Sequence, residues 1–465
     1  MRRIEMNEKK YLSGYQKFAY GLGDVAGGGA FSFVGTFIML YLTNAVGLNP
    51  GIIGTLMLAS KIFDGVSDII FGSLIDRTKS KMGKARPWMF YAQFGVSICM
   101  FLVFAIPDVG KTMQYVYFFV FYTTLNAVFY TANNIAYASL IALITKNQQE
   151  RVQCGSIRFI LSSLSYLVIA SASMGMVEYF GGGTKAWKMV ALIYAVVAVV
   201  VNTISVLSVK ELPEDETEVQ EKKDEVTAEP TEKVGIIMAL KLLVTNKYYL
   251  LMLAFFLVFY GGSGISGSAT AYFCTYYLEN VSIMGLLGMC KSIPMMLILT
   301  MNPVMVKKLG TMRKVNFFGF LFYILSAAVL AFGALNKMIP LILLGLCGTG
   351  AGTGPMMGTS NALIAEVGTQ IYHQKNVHLE GTMFSCTSIG TKIGSGIGSA
   401  IGGWLLAFSG FDGMAATQPA SAINMITGMY ALTPIAMGIL ISLIIFFLKV
   451  EDDNKKWEIK HLEQV

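Results

Sequence analysis

The chain has 465 residues, of which 54% are hydrophobic and 14% charged, with a mean hydropathy of +0.60. Soluble domains carry about a quarter charged residues, so a soluble enzyme is excluded, and a secreted disulfide scaffold is excluded too. The six cysteines (Cys99, Cys154, Cys274, Cys290, Cys347, Cys386) stand singly, with no CxxC spacing. A net charge of +7 would suggest nucleic acid in a soluble chain, but here the bases fall in short loops between apolar runs, so a lipid bilayer is the expected partner.

Apolar runs occur in order at 16–45, 50–74, 87–106, 114–144, 152–180, 187–208, 247–279, 282–306, 315–334, 338–366, 378–410 and 424–448. Each is long enough to cross a hydrocarbon core of about 30 Å, where only a helix satisfies every backbone polar group. The expected fold is therefore all-α, with twelve transmembrane helices. Alternate loops differ sharply in basic residues. One side carries 21 of them, concentrated at Arg77–Arg86, Lys307–Lys314 and both ends, and the other carries five: Lys111, Lys185, Lys188, Lys291 and Lys337. The base-rich side is cytoplasmic by the positive-inside rule, which puts both termini inside a bacterial-type cytoplasmic membrane.

Between Lys210 and Lys233 stand ten acids and four bases. This segment, 210–245, reads as a solvated cytoplasmic linker between an N-terminal six-helix half (1–209) and a C-terminal one (246–449), followed by a cytoplasmic tail (450–465). A faint repeat supports the division. Gly83 precedes Arg86 by three residues in the loop after the second run, as Gly310 precedes Arg313 after the eighth. Two parallel six-helix halves are the architecture of many secondary transporters.

Ionisable residues inside spans are costly, and each marks a functional site. They are Asp24 in run one, Lys61, Asp64 and Asp68 in run two, Arg158 in run five and Lys392 in run eleven. Lys61, Asp64 and Asp68 share one helical face. Counted from the basic loops, Asp24, Asp68, Asn134 and Arg158 lie roughly 10 to 18 Å deep, in one layer. Asp64 and Asp68, with hydroxyls from Ser67 and Thr131, offer hard oxygens to Na⁺, or take up a proton instead. Lys61 offers an alternative, an ammonium that neutralises one aspartate within the helix. Asp24 can accept two hydroxyl hydrogens while Arg158 presents a fixed fork of donors. Tyr20, Phe31, Tyr137 and Tyr166 are candidates for flat apolar walls.

The run Asp64-Gly-Val-Ser-Asp68, continuing through Asp76-Arg77-Thr78 to Arg86-Pro87-Trp88, resembles the glycoside–pentoside–hexuronide:cation symporters of the major facilitator superfamily. Tyr20-Gly-Leu-Gly-Asp24, Asn134-Ile-Ala-Tyr137-Ala-Ser139, Glu150-Arg151 with Arg158, and Thr387-Ser388-Ile-Gly-Thr-Lys392 extend the resemblance over nearly the whole chain. It implies the major facilitator fold and import of a sugar or glycoside with Na⁺ or H⁺ and no cofactor. It also implies a cation site at Asp64, Ser67, Asp68 and Thr131, and sugar contacts at Asp24, Asn134, Tyr137, Arg158, Ser388 and Lys392. Gly23, Asn134 and Ala138 depart from the family's melibiose-type pattern, which argues for a glycoside other than an α-galactoside.

Asp76, Arg77 and Arg86 are expected to bond helix ends of their own half and latch the cytoplasmic side as the halves rock. Gly390, Gly394, Gly398 and Gly402 form a stripe for close packing. His373 and His378 read as solvated loop residues, and with His461 they lie outside the polar layer, which leaves a membrane enzyme without its chemistry. The remaining alternative on this fold is a proton-coupled exporter or lysolipid carrier, and the polar layer disfavours it. A small sugar and the bilayer are the expected partners, nucleic acid is not, and a monomer is the expected working unit.

Overall fold

The computed structural model describes residues 10–212, 236–375, 383, 385–415 and 417–462. Among these the fold is helical, without a strand. The first half comprises α1 (Gly14–Asn44), α2 (Pro50–Asp76), α3 (Arg86–Val103), α4 (Lys111–Thr123), α5 (Thr131–Ile144), α6 (Gln148–Tyr179) and α7 (Gly183–Ser208). A π-helical stretch, Thr124–Tyr130, joins α4 to α5 without a break. The second half comprises α8 (Ile236–Thr245), α9 (Lys247–Tyr272), α10 (Met284–Leu309), α11 (Met312–Leu335), α12 (Ile339–Lys375), α13 (Ser385–Phe408), α14 (Ala420–Ala431), α15 (Thr433–Phe447) and α16 (Val450–Leu462).

Over the described residues every predicted apolar run forms a helical segment, the start of the run at 378–410 lying outside them. Nine of those described are long and apolar enough to cross a membrane. The other three runs form α2, which carries four ionisable residues, the 18-residue α3, and α13. Caps show why several of the helices start where they do. The Ser13 hydroxyl accepts from the Gln16 N–H at 3.3 Å while the Gln16 side chain accepts from the Ser13 N–H at 2.9 Å. Asn147, Asn246 and Thr311 cap α6, α9 and α11 with their own side chains.

The chain forms two compact units, Met1–Leu48 with Ser60–Ala228, and Asn49–Ala59 with Glu229–Val465. The first turns of α2 belong to the second unit because they pack on α13. Trp404 Nε1 donates to Thr55 Oγ1 at 2.9 Å, and a Cβ on Gly54 would stand 3.0 Å from the Ala400 backbone.

In the second unit the glycine stripe of α13 sits on α9. A Cβ at Gly390 would meet the Phe256 side chain, and one at Gly398 the Gly261 carbonyl, both well inside van der Waals distance. Two expectations need correction there, those for Lys291 and His373, and the tail adds a helix. Lys291, counted from sequence in an outer loop, lies two turns inside α10. The tail is a docked helix: in α16 Asn454 donates to the Glu366 carboxylate at 2.7 Å and Asp453 accepts from the Tyr248 hydroxyl. His373 is not a free loop residue either, since its ring stacks on Trp457 at 3.8 Å. His378, the N-terminal Arg2 and Arg3, and most of the acidic linker lie outside the described residues.

Candidate functional site

The polar layer of the first unit is built where α1 and α6 touch. Gly21 permits the contact, because a Cβ there would stand 2.7 Å from the Ile157 side chain and 2.9 Å from that of Leu161. This approach sets Arg158 opposite Asp24. Nε donates to Asp24 Oδ2 at 2.8 Å and Nη2 to Oδ1 at 3.3 Å, while Nη1 donates to the Tyr20 hydroxyl at 3.3 Å. Both charged side chains are about one-fifth exposed, so the pair is neutralised internally yet open to a ligand.

Beneath the guanidinium lies Tyr137, its ring centre 3.9 Å from Arg158 Cζ. Tyr137 is buried, and its hydroxyl donates to the Tyr20 carbonyl at 2.7 Å, so it supports Arg158 from below and presents no open wall. Asn134 and Ala138, one turn apart on α5, are exposed. Asn133 instead faces inward, donating to the Met89 carbonyl at 3.0 Å. Phe31 and Tyr166 are also exposed, and Tyr20 is buried.

The second constellation centres on Asp64, which is buried. Thr131 Oγ1 lies 2.6 Å from Asp64 Oδ1, and Lys61 Nζ 3.6 Å from Oδ2. Lys61 is itself buried, within 3.4 Å of Asn126 Oδ1 and 5.2 Å above the Phe31 ring. Its ammonium therefore pairs inside the helix and does not snorkel to the surface. Ser67 Oγ donates to the Asp64 backbone carbonyl at 2.9 Å, which leaves its lone pairs free to accept or coordinate, and Asp68 is half-buried. Asp64 and Thr131 thus bring hard oxygens together, and Ser67 and Asp68 stand one turn further along α2.

The π-helical stretch ends at Thr131, whose hydroxyl also lies 3.0 Å from the Asn126 carbonyl. Irregular turns of this kind often sit at functional sites. From Thr131 one helix runs past the aspartate to Asn134 and then to Tyr137, so α5 touches both constellations.

Arg86 reaches the last turn of α7, donating from Nε to the Val206 carbonyl at 3.0 Å. Sequence reasoning missed the partner. Glu211, the first acid after α7, accepts from the backbone N–H groups of Lys84, Ala85 and Arg86 at 2.7, 2.9 and 2.9 Å. The second unit repeats the device. Glu451 accepts from Met312 and Arg313 at 2.9 and 2.8 Å, and Arg313 reaches the Phe446 carbonyl at 3.4 Å. Gly83 and Gly310 precede the two arginines in left-handed conformations, φ +106° and +83°. The faint loop repeat is thus a repeat in three dimensions. Arg77 is exposed, and the side chain of Asp76 lies outside the described residues. Ser388, exposed, and Lys392, half-buried, stand on α13 of the second unit.

Paired ionisable groups held inside long apolar helices, in two helical units, define a membrane transporter and not an enzyme. Solved structures agree on the fold: a bacterial homologue of the human lysosomal transporter Spinster, inward-facing and occupied, superposes with a TM-score of 0.65 at 12% identity over 96% of this chain and 98% of that one. Residues 19–452 match the family described as MFS/sugar transport protein, and the chain belongs to that family. Among relatives, the isoprimeverose transporter of Lactiplantibacillus pentosus is 29% identical over 97% of this chain and 92% of its own length. The uncharacterised symporter YnaJ of Bacillus subtilis (strain 168) is 25% identical over 99% and 96%. The protein is accordingly a sugar symporter of the major facilitator superfamily.

Proposed function

We propose that the protein imports a neutral glycoside across a bacterial cytoplasmic membrane together with Na⁺ or H⁺, by alternating access, with both termini in the cytoplasm. The Asp24–Arg158 fork supports the sugar half of this reading more than any other observation. Each carboxylate oxygen accepts one bond from Arg158 and keeps a lone pair. Of the five guanidinium N–H donors, three point to Asp24 and Tyr20. Two donors and two acceptors remain for adjacent sugar hydroxyls, and the exposed Asn134 amide, one turn before Tyr137 on α5, is proposed as a further contact. Net charge at this pair is zero, which favours a neutral substrate. Ser388 and Lys392 are proposed as the contribution of the second unit.

The cation site is proposed at Asp64 and Asp68, with Thr131 and Ser67 as hydroxyl ligands; an ion arriving there competes with the Lys61 ammonium. Similarity to the isoprimeverose transporter makes isoprimeverose the first glycoside to try. Arg86, anchored on α7 within its own half, is proposed as the fixed end of the cytoplasmic latch, with Asp76 and Arg77 as the parts that change partners. The experiment is uptake of labelled isoprimeverose and a glycoside panel into proteoliposomes, with Na⁺, Li⁺ and proton gradients imposed separately. Uptake driven by one of these gradients is expected. Accumulation indifferent to all three would defeat the symport reading.

A further inference from the structure

Tyr137 is placed at the sugar layer and yet spends nothing on it. Its hydroxyl donates to the Tyr20 carbonyl at 2.7 Å, and Tyr20 returns the bond, its hydroxyl donating to the Tyr137 carbonyl at 3.0 Å. The two rings lie 4.9 Å apart, and Ser205 Oγ adds a third bond to the Tyr20 carbonyl at 3.0 Å. This reciprocal pair ties α1 to α5 and fixes the Tyr137 ring in one place. Its free face carries the Arg158 guanidinium, 3.9 Å from the ring centre.

Gly23 completes the seat. A Cβ there would stand 2.7 Å from Cε2 and Cζ of Tyr137 and 2.7 Å from Cε of Met89. The ring can occupy its position only because residue 23 has no side chain. A guanidinium is planar, weakly hydrated and well suited to stacking, and its donors point correctly only when its plane is held.

We infer that Tyr137, seated by Gly23 and Tyr20, is a positioning residue that orients Arg158 toward the sugar. The inference rests on the reading of Asp24 and Arg158 as the sugar-contacting pair. The ring acts through its face, so a phenyl ring can replace it in part and an aliphatic side chain cannot. Ion coupling, which belongs to Asp64 and its neighbours, is not in the ring's path.

The test is isoprimeverose binding by calorimetry to the purified full-length protein, in sodium and in sodium-free buffer. The variants are Tyr137→Leu, Tyr137→Phe and Gly23→Ala, alone and with Arg158→Lys. Losing the stack should weaken isoprimeverose binding about tenfold in Tyr137→Leu, by the same factor in both buffers. Tyr137→Phe should recover most of that loss, and Gly23→Ala should resemble Tyr137→Leu. With Arg158→Lys already present, Tyr137→Leu should add little, because the two act as one unit. The inference is overturned if Tyr137→Leu binds within twofold of the unmodified protein, if its effect is fully additive with Arg158→Lys, or if it alters the response to sodium. Failure of the unmodified protein to bind isoprimeverose, or undiminished binding in Asp24→Ala, would instead bring down the sugar-site reading on which the inference stands.

Discussion

Replacing Lys61 with Ala should make the transporter bind Na⁺ more tightly. The ammonium stands 3.6 Å from Asp64 Oδ2, and at an effective dielectric of about 20 their attraction is roughly 4 to 5 kcal/mol before desolvation. Charged bonds of this type keep about 1.5 to 3 kcal/mol after the exchange with water. An incoming ion must displace or share that interaction. Removing the competitor should therefore lower the Na⁺ concentration for half-maximal uptake by roughly ten- to a hundredfold, at 1.4 kcal/mol per decade. The assay is the Na⁺ dependence of glycoside uptake into proteoliposomes at fixed pH, supported by Na⁺-induced protection against thermal unfolding in detergent. Tighter Na⁺ activation with sugar affinity at saturating Na⁺ unchanged is the expected result. An activation constant within twofold of the unmodified protein would refute the competition argument. Complete loss of Na⁺ activation would make Lys61 part of the site and not its rival.

Thr131→Val keeps the side-chain shape but removes the hydroxyl 2.6 Å from Asp64 Oδ1. Half-maximal activation by the coupling cation should rise at least tenfold, read from the same uptake curves. Asp64→Cys and Asp68→Cys should each abolish the effect of Na⁺ on sugar affinity while weak sugar binding and exchange persist; calorimetry with and without Na⁺ decides this, since coupling free energies are reciprocal. Glu211→Ala leaves three helix-terminal N–H groups to water and should cost about 1 to 2 kcal/mol, seen as a lower midpoint of thermal unfolding, with Glu451→Ala similar and the two additive. A cysteine tag at either terminus should react with a membrane-impermeant reagent only after the cells are opened.

The helical spans and the ionisable layer were legible in the sequence for one reason: charges inside long apolar runs are conspicuous, and their spacing from basic loops measures depth. Asp24 and Arg158 accordingly come together in space as their depth suggested, and Thr131 stands beside Asp64. Tyr137 was legible as a position but not as a role, because an aromatic in a membrane span looks the same whether it faces a cavity or lies beneath an arginine. The inward turn of Asn133 and the outward turn of Asn134 are equally silent in composition, being separated only by the rotation of α5 after an irregular stretch. Glu211 was hidden among nine further acids of a segment that reads as solvated. Lys291 was misplaced because a lone lysine near the end of an apolar run does not say on which side of the first turns it stands. Docking of α16 depends on Tyr248, Glu366 and His373, residues distant in sequence and individually unremarkable.

The paired clamps bear on how the chain can be cut. Glu211 and the third span it closes both precede Pro213, and Glu451 and its span both follow Thr231. A break introduced between Pro213 and Thr231 would separate neither acid from its helix, and each polypeptide would retain its own arginine–carbonyl bond as well. Expressed as two separate fragments from one operon, the halves should each insert stably and together restore uptake. A break placed on the other side of Glu211, between Ser208 and Lys210, would strand the acid on the wrong fragment and leave the first half without its clamp. Comparing these two split sites would show whether each half is a folding unit by virtue of the acid at its end.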